Sequence, residues 1–464
     1  MFPWTNGQIA CCKTFKVYYI VWSNLAIVFV IPVSNFPLFA ELHSMSQTQQ
    51  SYTFAILGAG GRGSNFSNWI KGHPDAGKVV AVAEPNPERR KRVAEQHHIP
   101  ADMQFEKWED LLAKPKLADV LINTTMDRLH VASAVKGLNL GYHMILEKPM
   151  ATTLDDCIAI DKARAANNRI VCVCHSMRYS SVYTEVKKLL DKGAIGQMVS
   201  FDQLEAVEHI HQSHSFVRGN WGNEARSTFM LMAKTCHDID MFAWIVGKPC
   251  HRVSSFGSLT YFRKEHAPKG APQYCTDGCP AEFDCPYSSL KIYAQENNHW
   301  VAHHAGLTQP TPEERLAKLK HTNFDKCVFQ TDNDVVDHQV VAFEFEGGIT
   351  GTFTMTAFTP FGGRFLRIHG TKGFIRAESD NNLIEVHRHA DRAIDTIKIP
   401  HGAGSHGGAD DLLMRNFMAA LRTNDPSLVL TGTDESLRSH AIVFAAEKAR
   451  HEKRVVELSE LKLK

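Results

Sequence analysis

The chain has almost no charge imbalance: its 464 residues include 51 lysines and arginines against 50 aspartates and glutamates, a formal net charge of +1. That removes the long-range field with which basic proteins hold nucleic acid or anionic membranes, so neither is expected as a partner. Paired cysteine spacing is also missing. The eleven cysteines are odd in number and scattered, and Cys157, Cys172, Cys174 and Cys236 fall in apolar or helical stretches. They read as buried free thiols, which suits a reducing compartment better than a disulfide framework. Cys275, Cys279 and Cys285 cluster in a stretch with proline and glycine, but zinc sites usually pair cysteines at tighter, repeated spacing. The reading there is a thiol-bearing surface loop, and no metal ligand is assigned. Internal repeats and low-complexity tracts are absent too.

One long apolar run stands out, Val17 to Val33, with Lys13 and Lys16 before it. It resembles a signal peptide or membrane anchor. Ser23, Asn24 and Pro32 interrupt it, and no clean small-x-small cleavage site follows. Residues 1–50 are therefore set apart as an extension. A true start at Met45 predicts a cytoplasmic protein, and a genuine leader predicts an exported or anchored one.

Apolar residues make up 44% of the chain and charged ones 22%, ordinary values for a globular protein long enough for two domains. From 53 to about 170 the pattern alternates: strands at 53–58, 78–83, 119–123, 143–146 and 170–173, helices at 62–71, 87–96, 107–113, 127–140 and 154–166. Short apolar strands alternating with helices predict a doubly wound parallel sheet over 51–175. Residues 176–464 change character. Helices are expected at 177–192, 236–247, 409–423 and 433–452, and strands at 197–208, 251–262, 338–346, 349–357, 364–369 and 373–377. Consecutive strands, two of them joined at Gly347-Gly348, imply a mostly antiparallel sheet, with a long insertion at about 264–330.

The richest signal is Phe54-Ala-Ile-Leu-Gly-Ala-Gly-Gly-Arg-Gly63. An apolar strand breaks into Gly58, Gly60 and Gly63, the G-x-G-x-x-G spacing, and a helix follows. The glycines allow a tight turn, a close approach to a pyrophosphate and helix-on-strand packing, with phosphates at the helix N-terminus. The second strand ends in Glu84, where an acidic residue usually holds the adenosine ribose hydroxyls. NAD is the expected cofactor, because a carboxylate repels a 2′-phosphate. Arg89, Arg90 and Lys91 nearby keep NADP open, though an exposed helix start is their simpler reading.

Lys148, in Leu146-Glu-Lys-Pro149, follows a strand of the parallel sheet and so emerges at the carboxyl edge where ligands bind. A lysine there can steady a substrate hydroxyl as hydride leaves; a surface lysine before a proline turn is the plainer alternative. Taken together, the Gly58–Gly63 turn, Val120-Leu-Ile-Asn-Thr-Thr125 with Leu129-His130, Glu147-Lys148-Pro149, Cys236-His-Asp-Ile-Asp240, Gly370-Thr-Lys-Gly373 and His406-Gly-Gly-Ala-Asp410 resemble the glucose–fructose oxidoreductase / inositol dehydrogenase / rhizopine-catabolism (Gfo/Idh/MocA) family over roughly 52–460. The resemblance implies an α/β protein: a Rossmann domain, then a C-terminal α/β domain whose large open sheet pairs subunits as a homodimer or homotetramer. It also implies NAD(P)-dependent redox chemistry on a carbohydrate-like small molecule.

Carried over by residue, Lys148 matches the active-site lysine and His237 the motif histidine, a sensible general base. Gly61, Arg62, Asn123, Thr124, Thr125, His130 and Glu147 join Gly58, Gly60, Gly63, Glu84 and Lys148 as expected cofactor-binding residues. Substrate residues are expected at Arg178 and Tyr179 after the last Rossmann strand, at Arg218 and Trp221 in a histidine-rich stretch, at Asp240 and at His406. One departure matters. Inositol-dehydrogenase-like members carry an aspartate four residues before the histidine, and here that position is Ala233, followed by Lys234. Lys234 becomes a second candidate catalytic lysine, and the orienting carboxylate is missing. The leading expectation is hydride transfer between a secondary alcohol of a sugar, cyclitol or derivative and the nicotinamide. Two alternatives stay open: a redox-neutral, NAD-retaining glycosidase or epimerase, and a non-catalytic NAD(H)-binding sensor or scaffold.

Overall fold

The computed structural model describes residues 15–22, 25–32, 51–295, 300–400, 402 and 405–462, the side chains of 15–32 and of Ser405 and His406 excepted. From residue 51 onward the short apolar runs form strands because helices cover both of their faces. Tyr52–Leu57 (β1), Gly77–Ala83 (β2), Gln104–Phe105 (β3), Val120–Asn123 (β4), His143–Leu146 (β5) and Val171–Val173 (β6) pair in parallel, in the order β3-β2-β1-β4-β5-β6. The order reverses between β1 and β4, so a crevice opens at their carboxyl ends, where the glycine turn and Asn123–Thr125 lie. The helices of this half are Gly61–Gly72 (α1), Pro87–His97 (α2), His130–Asn139 (α3) and Leu154–Ala166 (α4). Asn86 caps α2 through Arg89 N, and Thr153 caps α4 through Asp156 N. The two residues of β3 are too few for any alternation to show, and the sequence reading has no strand there.

The second half contains Ser181–Asp191 (α5), Met198–Ala206 (β7), Cys236–Val246 (α6), Cys250–Ser258 (β8), His338–Phe345 (β9), Ile349–Thr356 (β10), Gly363–Gly370 (β11), Gly373–Glu378 (β12), Leu383–Arg388 (β13), Ile394–Lys398 (β14), Ala409–Thr423 (α7), Thr433–Glu452 (α8) and Val456–Glu457 (β15). The sheet runs β14-β13-β12-β11-β7-β10-β9-β8-β15, antiparallel except between β7 and β10. Phe201, Phe343, Phe353, Leu366 and Ile368 point inward against Phe242 and Ile239 of α6. The opposite face is open, with Phe256 72% exposed. Gly347 and Gly348 have φ of +83° and +75°, the left-handed turn that joins β9 to β10.

Two features differ from expectation. Strands β13 to β15 were not anticipated, because β14 is nearly all exposed and β15 is only two residues long. The other is that the chain crosses back over the boundary expected at 175. Leu413, Met414 and Phe417 of α7 pack with Phe54, Ile56 and Phe66, so this helix completes the core of the parallel sheet. Helix α8 touches α4, α6 and β8, and so binds the two halves together.

Residues 1–50 form a separate unit. Within it, Phe15–Trp22 and Leu25–Pro32 pair as an antiparallel hairpin, a form suited to their many β-branched and aromatic residues. Among the described residues, no helix is long and apolar enough to cross a membrane.

Candidate active site

The turn after β1 owes its shape to two glycines that nothing larger could replace. Gly58 has φ +86°, and a Cβ there would stand 2.5 Å from Thr124 O; a Cβ on Gly63 would stand 2.0 Å from Gly58 O. The outer side of the turn is open. A Cβ on Gly60 meets nothing nearer than Arg89 Nη1 at 3.9 Å, and on Gly61 nothing within 4 Å. That opening faces the start of α1, whose first turn carries no acidic side chain. A dinucleotide's pyrophosphate fits an open backbone beside a helix N-terminus, so the residues present suit the expected cofactor. Thr124 Oγ1 donates to Gly58 O at 2.6 Å and locks the turn to the end of β4.

Glu84 is buried and braces the same turn. Its Oε2 accepts from Ala59 N at 2.6 Å and its Oε1 from Asn86 N at 2.9 Å. Each oxygen keeps a lone pair for a ribose hydroxyl. The basic residues after it serve the frame: Arg90 donates to the Glu84 carbonyl, and Arg92 donates to Ala59 O at 3.1 Å and Ser64 Oγ at 2.7 Å.

Other expected cofactor residues spend their polar atoms tying loops together. Asn123 Nδ2 donates to Ser133 Oγ at 2.8 Å, while its Oδ1 accepts from Thr125 Oγ1 at 2.8 Å. The ring nitrogens of buried His130 lie 2.8 Å from Pro149 O and 3.0 Å from Thr125 O. Arg62 donates to Glu147 Oε1 at 2.5 Å and to both oxygens of Asp410, at 2.6 and 3.0 Å. The Asp410 clasp holds the start of α7 against the glycine turn.

Beyond the turn, Lys148 Nζ donates to Ala233 O at 2.7 Å. The position that lacks an aspartate therefore still receives the lysine, through its backbone carbonyl. Lys234 meets a carboxylate of its own: its Nζ lies 3.2 Å from Oε1 of Glu205, the penultimate residue of β7. Glu205 Oε2 lies 2.9 Å from Arg364 Nε, which also donates to Asp238 Oδ1 at 2.7 Å, and Gln203 Nε2 reaches Asp238 Oδ1 at 2.6 Å. A buried carboxylate thus stands beside the lysines, supplied by a strand and not by the helix motif. Burial pushes the Glu205 carboxyl above its ordinary range, against the pull of Arg364 and Lys234. Burial likewise lowers the Lys234 ammonium; Glu205 opposes that shift, while Arg364 and Lys148 add to it. His211 is lowered too, first by burial and then by the positive charges of Lys234 and Lys148.

His237 is buried at the first turn of α6, its ring centroid 5.6 Å from His175 in an edge-on arrangement. His175 in turn meets His440 of α8 at 5.2 Å. Met150 N donates to His440 Nε2 at 3.0 Å, which leaves the His440 proton on Nδ1. Behind this row, Arg178 and Asp240 pair bidentately at 2.7 and 2.8 Å, both buried, and Arg178 adds Leu430 O at 2.9 Å.

Several expected substrate residues thus have other work. Arg178 and Asp240 satisfy each other, because a buried guanidinium needs a carboxylate more than an open pocket does. Tyr179 OH accepts from Leu430 N at 3.1 Å beside Thr431. Arg218 reaches into the insertion, donating to Lys326 O and Tyr287 O at 2.7 Å each. Trp221 Nε1 donates to Asp127 Oδ2 at 3.0 Å. His406 falls in the turn Ser405–Gly408, and its side chain lies outside the described residues. The sequence reading missed Glu205, Arg364, His175, His440 and Asp410. Two of them had a local signal: Asp410 closes the motif that opens at His406, and Phe201, Gln203 and Glu205 alternate inward along β7, which places a polar pair on its core face.

The family described as "Oxidoreductase family, NAD-binding Rossmann fold" matches residues 52–175, and its C-terminal alpha/beta domain matches 187–458. The chain belongs to this Gfo/Idh/MocA oxidoreductase family. It is 25% identical to the Bacillus subtilis (strain 168) protein YteT, an oxidoreductase by name, over 83% of this chain and 92% of that one. An inositol 2-dehydrogenase/D-chiro-inositol 3-dehydrogenase of Halalkalibacterium halodurans is 27% identical over 46% of this chain, spanning 58% of that protein. Among solved structures, levoglucosan dehydrogenase in complex with NADH superposes with a TM-score of 0.65 at 17% identity, covering 88% of this chain and 99% of its own. That last likeness concerns the fold. Family membership and the geometry of the glycine turn together give this chain an NAD-binding Rossmann half.

Proposed function

We propose that the protein transfers hydride between a secondary alcohol of a sugar, cyclitol or related polyol and bound NAD. When bound, NAD supplies the hydride acceptor; every other requirement falls on the chain's own residues. Lys148 holds the reacting hydroxyl oxygen, and its ammonium stabilises the alkoxide character that develops there. His237 receives the hydroxyl proton. Glu205 orients Lys234 and takes the place of the carboxylate absent at Ala233, leaving Lys234 to hold a neighbouring substrate hydroxyl. Glu84 favours NAD over NADP by charge repulsion. A second copy of the chain pairs on the open face of the nine-stranded sheet.

The observation that carries this reading is the placement of Lys148, which leaves the parallel sheet at its carboxyl edge beside the glycine turn and is fixed at 2.7 Å to the residue before Lys234. The relatives named for inositol and levoglucosan oxidation support a polyol substrate. The test is to denature the purified protein, identify released nucleotide by mass spectrometry, and assay NAD reduction over a panel of sugars and cyclitols. NADH formed on one of them, and lost in Lys148→Ala, is the expected result. Nucleotide retained through many turnovers with no net reduction would replace this reading with redox-neutral glycosidase or epimerase chemistry. Tight NADH binding with every substrate inert would replace it with a sensor or scaffold.

A further inference from the structure

The insertion at 264–330 has little of its own to hold it together. Its described residues form short turns and the short helices Trp300–His304 and Pro312–Leu319, over two small apolar clusters, one with Phe262, Tyr287, Val328 and Phe329 and one with Ile292, Tyr293, Val301 and Leu319. Weakly cored modules of this kind are commonly stapled by disulfides or metal. Four thiols, Cys275, Cys279, Cys285 and Cys327, line one small cavity here, and none is in a disulfide. Cys327 is the member that spacing concealed. It arrives through a bridge between Tyr274 and Lys326, with its own N–H donating to Gln273 O at 2.9 Å.

Two buried charges fix this frame. The Asp325 carboxylate accepts from Thr276 N at 3.1 Å, Thr276 Oγ1 at 2.5 Å, Ser289 Oγ at 3.1 Å and His321 N at 2.9 Å. It thereby ties the residue after Cys275 and the turn after Cys285 to the turn Asn323–Asp325 that leads into Cys327. Arg218, 5% exposed, donates to the carbonyls of Lys326 and Tyr287, and its Nη2 lies 3.9 Å from Cys275 Sγ. Among the described residues, its Nη1 has no hydrogen-bond acceptor. A guanidinium set among four thiols invites anionic sulfur. A cation that deprotonates the thiols would supply it.

We propose that Cys275, Cys279, Cys285 and Cys327 bind one zinc ion as a structural tetrathiolate site, with Arg218 as the outer donor that balances its charge. Four sulfur donors select a borderline-soft d10 cation in tetrahedral geometry, at sulfur distances of about 2.3 Å. As the neutral thiols now lie, no three donors among the described residues stand in ligating geometry. Binding therefore has to turn the side chains inward and release four protons; no electron is exchanged. Arg218 then donates to a metal-bound sulfur, the usual second partner of such a site.

The test uses the full chain, expressed in zinc-supplemented medium and purified with a thiol reductant. Elemental analysis should give about one zinc per chain, released in step with titration of the thiols by a mercurial. Cys279→Ser and Cys327→Ser should lose that zinc, while Cys250→Ser, outside the cavity, should keep it. Because a serine variant can fail to fold, stripping the wild-type protein with a chelator gives a second readout, a lower thermal midpoint restored by zinc alone. Folded wild-type protein with less than about a tenth of a zinc per chain would overturn the proposal. So would an intact mass showing these four cysteines joined in disulfides.

Discussion

The glycine turn and the lysine pocket are built in opposite ways. The turn is mostly local: residues 58–63 shape themselves, Thr124, Glu84 and Arg92 brace the backbone, and Glu147 and Asp410 hold Arg62. The pocket is assembled from the end of β5, the entry to α6, β7 and β11, which contribute Lys148, Lys234, Glu205 and Arg364. A local device depends on backbone geometry, so its parts fail one at a time. A pocket of mutually paired buried charges is interdependent, because removing one member strands the others in a poorly solvated place.

The strongest way to separate the two regions is Lys148→Ala. Turnover should fall by about 10²- to 10⁴-fold, while NADH affinity from fluorescence titration stays within about twofold of wild type. If both fall together, the pocket and the turn are one unit. Next comes Glu205→Gln, which leaves Lys234 and Arg364 short of their shared carboxylate. It should cost about 3 kcal/mol in chemical denaturation, again with NADH binding kept. A cost well under about 1 kcal/mol would show that the pocket charges do not depend on one another.

On the turn side, Glu84→Ala removes the acceptor for Ala59 N and Asn86 N. NAD affinity should drop by roughly 10- to 30-fold, about 1.4–2 kcal/mol, with turnover of the bound enzyme retained; unchanged affinity would sever Glu84 from the cofactor. A last effect, read as a slope against pH, concerns the histidine row. Burial, and then His175, hold His440 down to about 3, and burial lowers His175 against the pull of Asp240. Both folded values lie below the unfolded value of about 6.5, so their contribution is complete above that pH. As the pH falls below it, the unfolded chain takes up protons that the fold refuses, and stability drops by up to about 1.4 kcal/mol per pH unit for each group. Urea denaturation between pH 7 and 5 should show that slope in the wild type and a shallower one in His440→Asn. Equal slopes would remove the row from the pH response.

Much of the fold was legible because its cues are short-range. The strands β1, β2, β4, β5 and β6, and helices α1, α2 and α4, start and stop within a residue or two of where apolar runs, caps and glycines place them. The Gly58, Gly60, Gly63 spacing marked the cofactor turn for the same reason. The pocket was half legible. Lys148, Lys234 and His237 sit in recognisable local contexts, but the carboxylate paired with Lys234 is 29 positions upstream of it, on β7. Ala233 therefore reads as a lost carboxylate, while the fold sets Glu205 beside the next residue. Arg178 and Asp240 were legible singly, but their pairing with each other is set only by the fold.

By itself, then, the sequence determined the alternating parallel sheet and its glycine turn with Glu84 beyond it, and it supplied the two lysines and the histidine proposed for the active site. These rest on interactions between residues close along the chain, or at strand ends whose order follows from the alternation. Only the tertiary structure decided which carboxylate faces Lys234, that α7 returns to the first sheet, and that Cys327 joins three distant thiols. Those outcomes depend on which buried charges and apolar faces find partners across the whole chain, and burial makes such pairing decisive because an unpaired group has no water to turn to.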